Sequence, residues 1–282
     1  MFEALKNKGY EIEFVSHSSA ILEIDFPAAA AELEQAMLNQ SVPIEEIIRS
    51  GGGETKRTQR LRNGLTAKGW VQETFTIKKT INDEPRESIS HKVDHVRIFD
   101  RSNGKRYRLA LEIEWNNKDP FFDRDLENFK RLHAEGGRVV ITRGTSLQDS
   151  LPSFVRRWVD ENRIDSFDRL SELGIAQTAR QKREVIKRVE RVRKPIPFRE
   201  AWAAQFVSDK FGAATTHWRK LDDRIKRGVG NPCPLVLIGL PASIVTFGED
   251  VEEVKQLIEE GAKALKEEEQ SPYSAATGYT CE

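Results

Sequence analysis

The spacing of apolar residues changes along the chain, and each change predicts a different type of element. Apolar and polar residues alternate over Tyr10–Phe26, which predicts two short strands joined around Ser16–Ser19. Beyond this segment, an alanine- and leucine-rich run, a proline-led segment and a basic segment each favour a helix. The helices predicted there cover Pro27–Leu38, Pro43–Arg49 and Glu54–Lys68, and the last of them follows a break at Gly51-Gly52-Gly53.

The middle of the chain predicts a β-hairpin. Lys92–Phe99 and Arg106–Trp115 are apolar at alternate positions, and Asn103-Gly104 between them is a strong turn signal. A further strand is predicted over residues 70–81, followed by a polar loop over residues 82–90.

Strands and helices alternate in the remaining sequence. Asp119-Pro120 predicts the start of a helix with Asp119 as N-cap, because proline suits the first helical position. The other predicted elements are strand Val139–Thr142, a loop over Arg143–Leu151, a mostly helical stretch over residues 153–226, strand Pro234–Leu240 and helix Val251–Glu268. This order predicts an α/β (or α+β) fold with a mixed central β-sheet flanked by helices.

The length of 282 residues suits one large domain, or one domain with a substantial accessory lobe. We predict a single domain over residues 1–282, with its core in residues 70–152 and 233–241. Residues 1–69 and the basic helical residues 153–230 are then additions to that core.

The composition is that of a globular protein. An apolar fraction of 38% with 8% aromatic residues excludes a disordered chain. No apolar run approaches the roughly 18 residues needed to cross a bilayer, so no membrane segment is expected. The start, MFEALKNKGYEIEF, lacks the apolar stretch of a signal peptide, which predicts a cytoplasmic protein. Cys233 and Cys281 are then expected to be free thiols, although a disulfide between them stays open.

The formal net charge of zero conceals an asymmetry along the chain. Arg180–Arg227 carries 15 Lys/Arg against 6 Asp/Glu, whereas Glu249–Glu282 carries 3 Lys against 10 acids. The basic stretch could bind phosphate groups. It fits an ordinary solvated helix surface equally well, so the charge leaves both interpretations open.

Two acids in the second hairpin strand are the candidates for chemistry. Because side chains alternate along a strand, Glu112 and Glu114 share one face while Leu111 and Ile113 share the other. The two acids are then about 7 Å apart at Cα. A core strand does not usually keep such a pair without a purpose.

The length of the hairpin loop decides whether Asp94 joins the two acids. A two-residue loop would place Asp94 opposite Ile113 on the apolar face. A three-residue loop, Ser102-Asn103-Gly104 with a left-handed glycine, would place Asp94 opposite Glu112. Glycine in the last loop position favours the second register, which we predict.

Three acids on one face repel one another and need a positive partner. Ligands that are all oxygen suit a hard cation, which predicts Mg²⁺ rather than Zn²⁺. Mg²⁺ held by few carboxylates is suited to attack on phosphodiesters, because it lowers the pKa of a water and stabilises charge on the phosphate. A solvent-facing edge hairpin with incidental acids is the alternative.

The residues also resemble a known family. Asp94 followed on the next strand by Glu112-Ile113-Glu114 is similar to the pattern of the PD-(D/E)XK nucleases, and within them of the BglII- and BamHI-like restriction endonucleases. The ordered matches are Val93-Asp94-His95-Val96, Glu112-Ile113-Glu114-Trp115 with two asparagines after it, the helix after Pro120-Phe121-Phe122, Ile141-Thr142-Arg143-Gly144 and Leu237-Ile238-Gly239-Leu240. The resemblance covers residues 90–152 well and residues 233–241 moderately, and it implies a restriction-endonuclease-like core.

The resemblance implies a role for each acid. Asp94 and Glu112 would hold the metal ion. Glu114 would replace the lysine of the commoner motif, as a Glu does in BamHI and a Gln in BglII, and would orient the attacking water or accept its proton. Lys118 could supply the missing positive charge, although its place past the strand end suits a phosphate contact better. One further upstream acid is implied, and the candidates, which spacing does not separate, are Glu54, Glu73, Glu84 and Glu87.

The same resemblance implies that DNA bases are read just past the catalytic strand and in the loop after the next strand. Asn and Gln can pair with adenine, and Arg or Lys with guanine. The candidate DNA-binding residues are Asn116, Asn117, Lys118, Arg143, Thr145, Ser146 and Gln148, and each could equally be a cap or loop residue. His95 is expected to face the core, and no histidine is assigned to catalysis.

The sequence therefore predicts a type II restriction endonuclease, a homodimer that cuts a short, roughly palindromic site in double-stranded DNA with Mg²⁺. Two alternatives stay open. One is a repair or recombination nuclease of the same fold with little sequence preference, and the other is a DNA-binding module without catalysis.

Overall fold

The computed structural model of the protein describes residues 1–48, 55–100, 106–132 and 136–248. The strands of its central sheet are β1 Glu11–Val15, β3 Val71–Ile81, β4 Glu84–Asp100, β5 Arg106–Glu114, β6 Arg138–Arg143 and β7 Leu235–Leu240. They are hydrogen-bonded in the order β1-β7-β6-β5-β4-β3. A separate parallel pair joins β2 Val42–Pro43 to β8 Val245–Thr246.

The helices precede, separate and follow the strands. They are α1 Glu3–Asn7, α2 Ser18–Asp25, α3 Pro27–Leu38, α4 Ile44–Ile48, α5 Lys56–Thr66, α6 Pro120–Arg131, α7 Thr145–Glu161, α8 Phe167–Glu172, α9 Ala179–Val189, α10 Phe198–Phe211 and α11 Trp218–Lys226. The helix predicted over Pro27–Leu38 is confirmed with both of its bounds.

The central sheet is mixed. β5, β6 and β7 are parallel, whereas β3, β4 and β5 form antiparallel pairs and β1 is antiparallel to β7. β6 and β7 are buried along their whole length, which agrees with the apolar runs Val139–Ile141 and Leu235–Leu240 within them. The predicted α/β class, with a mixed central sheet flanked by helices, is confirmed.

Helix α6 packs on one face of this sheet. Phe122, Leu126 and Phe129 recur every three or four residues and are almost fully buried. They join a core cluster whose strand residues include Val96 of β4 and Val140 of β6. The acids of β5 therefore lie on a strand that α6 covers.

The predicted polar loop over residues 82–90 is wrong. β4 begins at Glu84, and the chain reverses through Asn82 and Asp83, whose φ angles are 52° and 64°. Asn and Asp tolerate this left-handed conformation, which the tight turns of two-residue hairpins require. The polar residues after the turn lie on the exposed β3–β4 hairpin, so their polarity reflects exposure rather than a loop.

Two other segments form helices where the sequence predicted a strand and a loop. The second strand expected in Tyr10–Phe26 is helix α2, in which Ser18 and Leu22 are buried one turn apart. The loop expected over Arg143–Leu151 is mostly the first part of α7, where Leu147 and Leu151 are buried at a spacing of four residues. In both segments the 3.6-residue period overrides the local turn and alternation signals.

One extra residue interrupts the alternation of β4. β3 pairs Val71 with Val96 but Glu73 with Val93, so two steps along β3 match three steps along β4. This β-bulge brings Val93 and Val96, three residues apart, into the same core cluster. As a result, the β4 residues that precede the bulge face the opposite side of the sheet from the one that strict alternation, counted back from the end of β4, predicts.

Two glycines allow the ends of β6 and β7 to approach closely. A Cβ on Gly239 would lie 2.8 Å from the Trp218 ring and 3.0 Å from Cα of Gly144. A Cβ on Gly144 would lie 2.7 Å from the carbonyl oxygen of Leu240. The glycines of both sequence motifs are therefore needed for packing at these strand ends.

The chain divides into two compact units. The described residues of the first are 1–40, 57–100, 106–132, 136–150 and 210–244, which include the whole central sheet. Those of the second are 41–48, 55–56, 151–209 and 245–248. The division into compact units does not test whether the chain is one domain, so the single domain stays a prediction.

The remaining expectations from the sequence concern the cysteines, membrane segments and segments outside the described residues. Cys233 is buried with a free thiol. Within the described ranges, the structure has no helix that is both long and apolar enough to cross a membrane. The segments named above that lie outside the described residues are Arg49, Gly51–Glu54, residues 101–105 and the acidic stretch Glu249–Glu282, which contains the helix predicted at Val251–Glu268 and Cys281.

Candidate functional site

Asp94 and Glu112 lie side by side on β4 and β5. The two strands pair in a register that places His95 opposite Leu111. Continued by one residue, this register places Asp94 opposite Glu112, and Asp94 acts on Glu112 through its charge and a side-chain hydrogen bond. The predicted register is confirmed, although the loop from which it was inferred, residues 101–105, lies outside the described residues.

Glu112 and Glu114 are buried at the end of β5. They are 5% and 3% exposed. Nδ2 of Asn117 donates a hydrogen bond to Oε2 of Glu114 at 2.7 Å. Oγ1 of Thr142 donates one to the main-chain carbonyl of Glu114 at 2.8 Å. Both the side chain and the backbone of Glu114 are therefore held in place.

Asp125 of α6 brings a fourth acid to the site, which the sequence analysis missed. It is 2% exposed and shares a side-chain hydrogen bond with Glu114. Nε of Arg124 donates to Oδ1 of Asp125 at 2.7 Å. Asp125 lies three residues after Phe122, on the inward side of the helix. A charged residue beside an apolar helical stripe is the signal that could have identified it.

His91 also reaches the site, because of the bulge in β4. Strict alternation would place His91 on the face of His95, away from Glu112. With the bulge between them, Nε2 of His91 lies 3.4 Å from Oε1 of Glu112, while His95 is buried as expected. A single-residue bulge has no dependable sequence signature, so alternation alone could not place His91.

The His91 ring is oriented from its other side. Nδ1 of His91 lies 2.9 Å from Nδ2 of Asn128 on α6. Burial, which outweighs the opposing charge of Asp125, lowers the pKa of His91. The imidazole is therefore neutral at neutral pH, and its 3.4 Å approach to Glu112 is not an ion pair between two full charges.

Crowding of the acids disfavours their charged forms. Burial, and then the charges of the neighbouring acids with Asp94 first, raises the pKa of Glu112 well above its usual range. Burial, and then the hydrogen bond and charge of Asp125, raises the pKa of Glu114 to about 8, although the hydrogen bond from Asn117 opposes this. These carboxylates are fully charged at neutral pH only with a positive partner nearby.

The donor atoms of the site fit a divalent cation. Oε1 of Glu112, Oδ2 of Asp125 and Nε2 of His91 are buried and have no hydrogen-bond partner among the described residues. The ligand atoms of these three residues lie within 4.8 Å of one another. A divalent cation takes such atoms as ligands and balances the carboxylate charges.

Without a divalent cation, we expect the free energy of unfolding to fall as the pH rises from about 5 to about 8. The unfolded chain releases the Glu114 proton near the usual pKa of 4.5, whereas the folded chain keeps it to about pH 8. Between these values the folded state binds the extra proton, so deprotonation favours unfolding by up to roughly 1.4 kcal/mol per pH unit. Urea unfolding in EDTA across this range measures the slope.

The matched variants isolate Glu114 in this measurement. Glu114→Gln should make the slope shallower, and Mg²⁺ should stabilise the wild type more at pH 8 than at pH 5. Glu87→Gln, which changes an exposed acid on the β3–β4 hairpin, should leave the slope unchanged. Parallel slopes for wild type and Glu114→Gln would show that Glu114 does not keep its proton.

The acids that the sequence left open do not account for this fourth carboxylate. Glu73 is held by Arg108, whose Nε lies 3.1 Å from Oε2 of Glu73. Glu84 and Glu87 are exposed on the hairpin, and Glu54 lies outside the described residues. Within the described ranges the fourth acid of this group is Asp125, which follows β5 in sequence instead of preceding it.

The predicted DNA-binding residues divide into two groups. Asn116, Asn117 and Lys118 come after β5, separated from it by Trp115, with Asn116 partly buried and the other two exposed. They lie next to the acids in sequence, and Asn117 bonds to Glu114. Their position is compatible with the predicted DNA contact.

Arg143 is instead fully buried. Its guanidinium donates to the carbonyl oxygens of Trp115 at 2.6 Å and Thr216 at 2.6 Å, to Oγ1 of Thr215 at 2.8 Å and to Oε1 of Gln148. Burial lowers the pKa of Arg143 to about 9. Contact with a base would require all of these bonds to break, so the structure favours a structural role over the predicted base reading.

The other three predicted contacts are also used within the protein. Thr145 donates from its backbone N and Oγ1 to the carboxylate of Glu11 at 2.7 and 3.0 Å. Oγ of Ser146 accepts from the backbone N of Ala242, and Gln148 donates to the carbonyl of Phe211. Because they belong to the start of α7 rather than a free loop, these residues first of all hold that helix in place.

Asp119 does not cap α6 as predicted. Its side chain makes no capping hydrogen bond. Lys220 and Arg224 of α11 each lie 3.4 Å from its carboxylate instead. The opposite charges on α11, distant in sequence, compete successfully with the local backbone amides.

The basic stretch is likewise partly neutralised. In and beside α11, ion pairs join Arg219 to Asp149, Arg224 to Asp123, Lys226 to Asp222 and Arg227 to Asp223. On α9, ion pairs likewise join Arg180 to Asp209 and Lys187 to Glu184, whereas Arg183 and Arg191, on and after this helix, are exposed. Arg183 and Arg191 are therefore the better candidates for phosphate contact.

Comparison with known proteins identifies a family. A family model described as restriction endonuclease BglII/BglIII matches residues 10–240, which include every strand of the central sheet and the three predicted acids. No curated protein matches the chain. The resemblance inferred from the sequence is confirmed by this match.

Proposed function

Because the chain belongs to the restriction endonuclease BglII/BglIII family, we propose that it hydrolyses phosphodiester bonds at a short, roughly palindromic site in double-stranded DNA with Mg²⁺. Membership makes it a type II site-specific deoxyribonuclease that binds double-stranded DNA. The observation that supports the metal-dependent mechanism is the group of buried acids at the end of β5, with oxygens that have no described hydrogen-bond partner.

Each acid has a separate role in this proposal. Asp94 and Glu112 hold the cation, because they lie side by side where β4 and β5 pair. A bound Mg²⁺ supplies charge to stabilise the phosphate and lowers the pKa of the attacking water. Glu114 orients that water and accepts its proton. Because the pKa of Glu114 is about 8 without a cation, Glu114 can accept a proton near neutral pH only when a bound cation favours its charged form. Asn117 holds Glu114 in place, and Lys118 contacts a phosphate.

We further propose that the active species is a homodimer. One subunit carries one set of acids and cuts one strand, so a two-fold pair of subunits cuts both strands of a two-fold site. Sedimentation with and without a cut-site duplex should show a particle of twice the 32.2 kDa chain mass.

Digestion of a sequenced plasmid in Mg²⁺ tests the function. Discrete bands whose ends share one short sequence are expected. A smear would favour a nuclease of the same fold with little sequence preference. Binding without cutting in Mg²⁺ and Mn²⁺ would favour a DNA-binding module that lacks catalysis.

Asn117→Ala should weaken binding to the cut site by about 1–3 kcal/mol and binding to scrambled DNA much less. We expect this difference because Asn117 is proposed to contact a base, and base contacts carry sequence information whereas phosphate contacts do not. The measurement is binding in Ca²⁺, in which cleavage should stall, to cut-site and scrambled duplexes at several salt concentrations.

Arg191→Ala is the matched comparison on the basic stretch. It should weaken binding to both duplexes alike and reduce the slope of log affinity against log salt by about 1. If Asn117→Ala weakens binding to both duplexes equally, Asn117 acts on Glu114 or on phosphates and does not read bases.

A further inference from the structure

We propose that His91 and Asp125 complete the cation site of Glu112, with His91 Nε2 as a direct nitrogen ligand. The cation then lies between β4, β5 and α6 and is not bound by oxygen atoms alone. This inference rests on the proposed nuclease function for the presence of a cation at Glu112. It adds His91 and Asp125 as ligands. The nitrogen ligand gives the site an affinity for first-row transition metals that oxygen ligands alone would not give.

The positions of the three atoms support a shared ion. Nε2 of His91 and Oε1 of Glu112 are 3.4 Å apart, and with Asp125 the ligand atoms fall within 4.8 Å. Two ligands about 2.1 Å from one ion are about 3.0 Å apart when adjacent and about 4.2 Å apart when opposite. Small side-chain rotations are sufficient to bring the set to these distances.

The pattern of hydrogen bonds points to the same conclusion. Buried polar atoms in folded proteins nearly always have a partner. Oδ1 of Asp125 is bonded to Arg124, whereas its Oδ2 has no described partner. Oε1 of Glu112 and Nε2 of His91 share this property. A single cation provides a partner for all three atoms.

An amide side chain lies where it can orient the His91 ring from its other nitrogen. Metal-bound histidines are usually oriented by a hydrogen bond at the other ring nitrogen. Asn128 of α6 provides this contact to Nδ1 at 2.9 Å. The atom of Asn128 that faces Nδ1 is the amide nitrogen Nδ2, which can only donate. The tautomer in which Nε2 offers its lone pair to a cation therefore requires the Asn128 amide to turn over, so that its Oδ1 accepts a hydrogen bond from Nδ1.

A nitrogen ligand changes which metals bind well. Mg²⁺ prefers oxygen ligands, whereas imidazole suits Ni²⁺ and other first-row transition metals. His91→Ala should therefore weaken Ni²⁺ binding by at least about tenfold and Mg²⁺ binding by less than about threefold. Calorimetric titration of the full chain without DNA measures both affinities.

Pulsed electron paramagnetic resonance of the Mn²⁺-loaded full chain tests the bond directly. The wild type should show nuclear coupling from a directly bound imidazole ¹⁴N, and labelling the histidines with ¹⁵N should replace that pattern. His91→Ala should abolish the coupling. His95→Ala is the matched control, because His95 is a buried imidazole on the same strand and next to Asp94, but on the other side of the bulge.

Absence of imidazole coupling in the wild type would overturn the proposal, even if His91→Ala does not fold. Its persistence in a folded His91→Ala protein, or its loss in a folded His95→Ala protein, would do the same. The outcome is independent of cleavage. A wild type that cuts plasmid DNA in Mg²⁺ without the coupling refutes only the nitrogen ligand. The coupling without any cleavage supports the ligand and refutes the nuclease proposal.

Discussion

Asp94→Ala and Glu112→Ala should each slow DNA cleavage by at least about a hundredfold. Either substitution removes a proposed ligand from the point where β4 and β5 bring the two acids together. Binding to duplex DNA should stay intact or become tighter, because each variant loses negative charge beside the phosphate. Single-turnover cleavage in Mg²⁺ and binding in Ca²⁺ measure the two effects separately.

Two controls separate a chemical effect from unfolding. Glu87→Ala removes an exposed acid on the β3–β4 hairpin and should cut at the wild-type rate. Glu112→Gln should be inactive yet at least as stable as the wild type in EDTA, because burial and the neighbouring acids oppose the charge of Glu112. Cleavage by Asp94→Ala or Glu112→Ala at close to the wild-type rate would exclude that acid from the mechanism.

Arg143→Ala should destabilise the protein by about 3–5 kcal/mol. The substitution leaves a cavity in a fully buried position and removes the donors of the Trp115 and Thr216 carbonyls. Arg143→Lys should lose part of the same stability, because a single ammonium cannot reproduce the planar set of guanidinium donors. Urea unfolding at pH 7 measures both variants.

Arg156→Ala is the matched control for this prediction. Arg156 is exposed on α7, and its removal should change the unfolding free energy by no more than about 0.5 kcal/mol. An Arg143→Ala protein that is as stable as the wild type, but binds only its cut site more weakly, would restore the base-reading role to Arg143.

The hairpin shows how far local patterns reach. Alternation placed Glu112 and Glu114 on one face of β5, and the choice of a three-residue loop predicted the pairing of Asp94 with Glu112. The observed pairing of His95 with Leu111 agrees with that register. Such contacts depend on residues near each other in sequence, so strand period and loop length were sufficient.

The same reasoning failed for His91, which lies on β4 three residues before Asp94. Alternation counted back from His95 puts His91 on the wrong face, because the bulge of β4 is visible only in its pairing with β3. Asp125 was missed for a related reason. Its place beside the apolar stripe of α6 signals burial, but nothing in α6 by itself shows that this helix lies against the acids of β5. Both residues were placed by partners that are distant in the chain.

The sequence by itself determined the α/β class, the hairpin register that brings Asp94 beside Glu112, and the family, because period, turn residues and motif order are local properties. The tertiary structure alone decided which polar residues are exposed. It buried Arg143 among backbone carbonyls, paired Asp119 with α11 and brought His91 and Asp125 to Glu112. Burial and charge pairing depend on which distant segments pack together, and that packing determines whether a polar side chain supports the fold or remains available for chemistry.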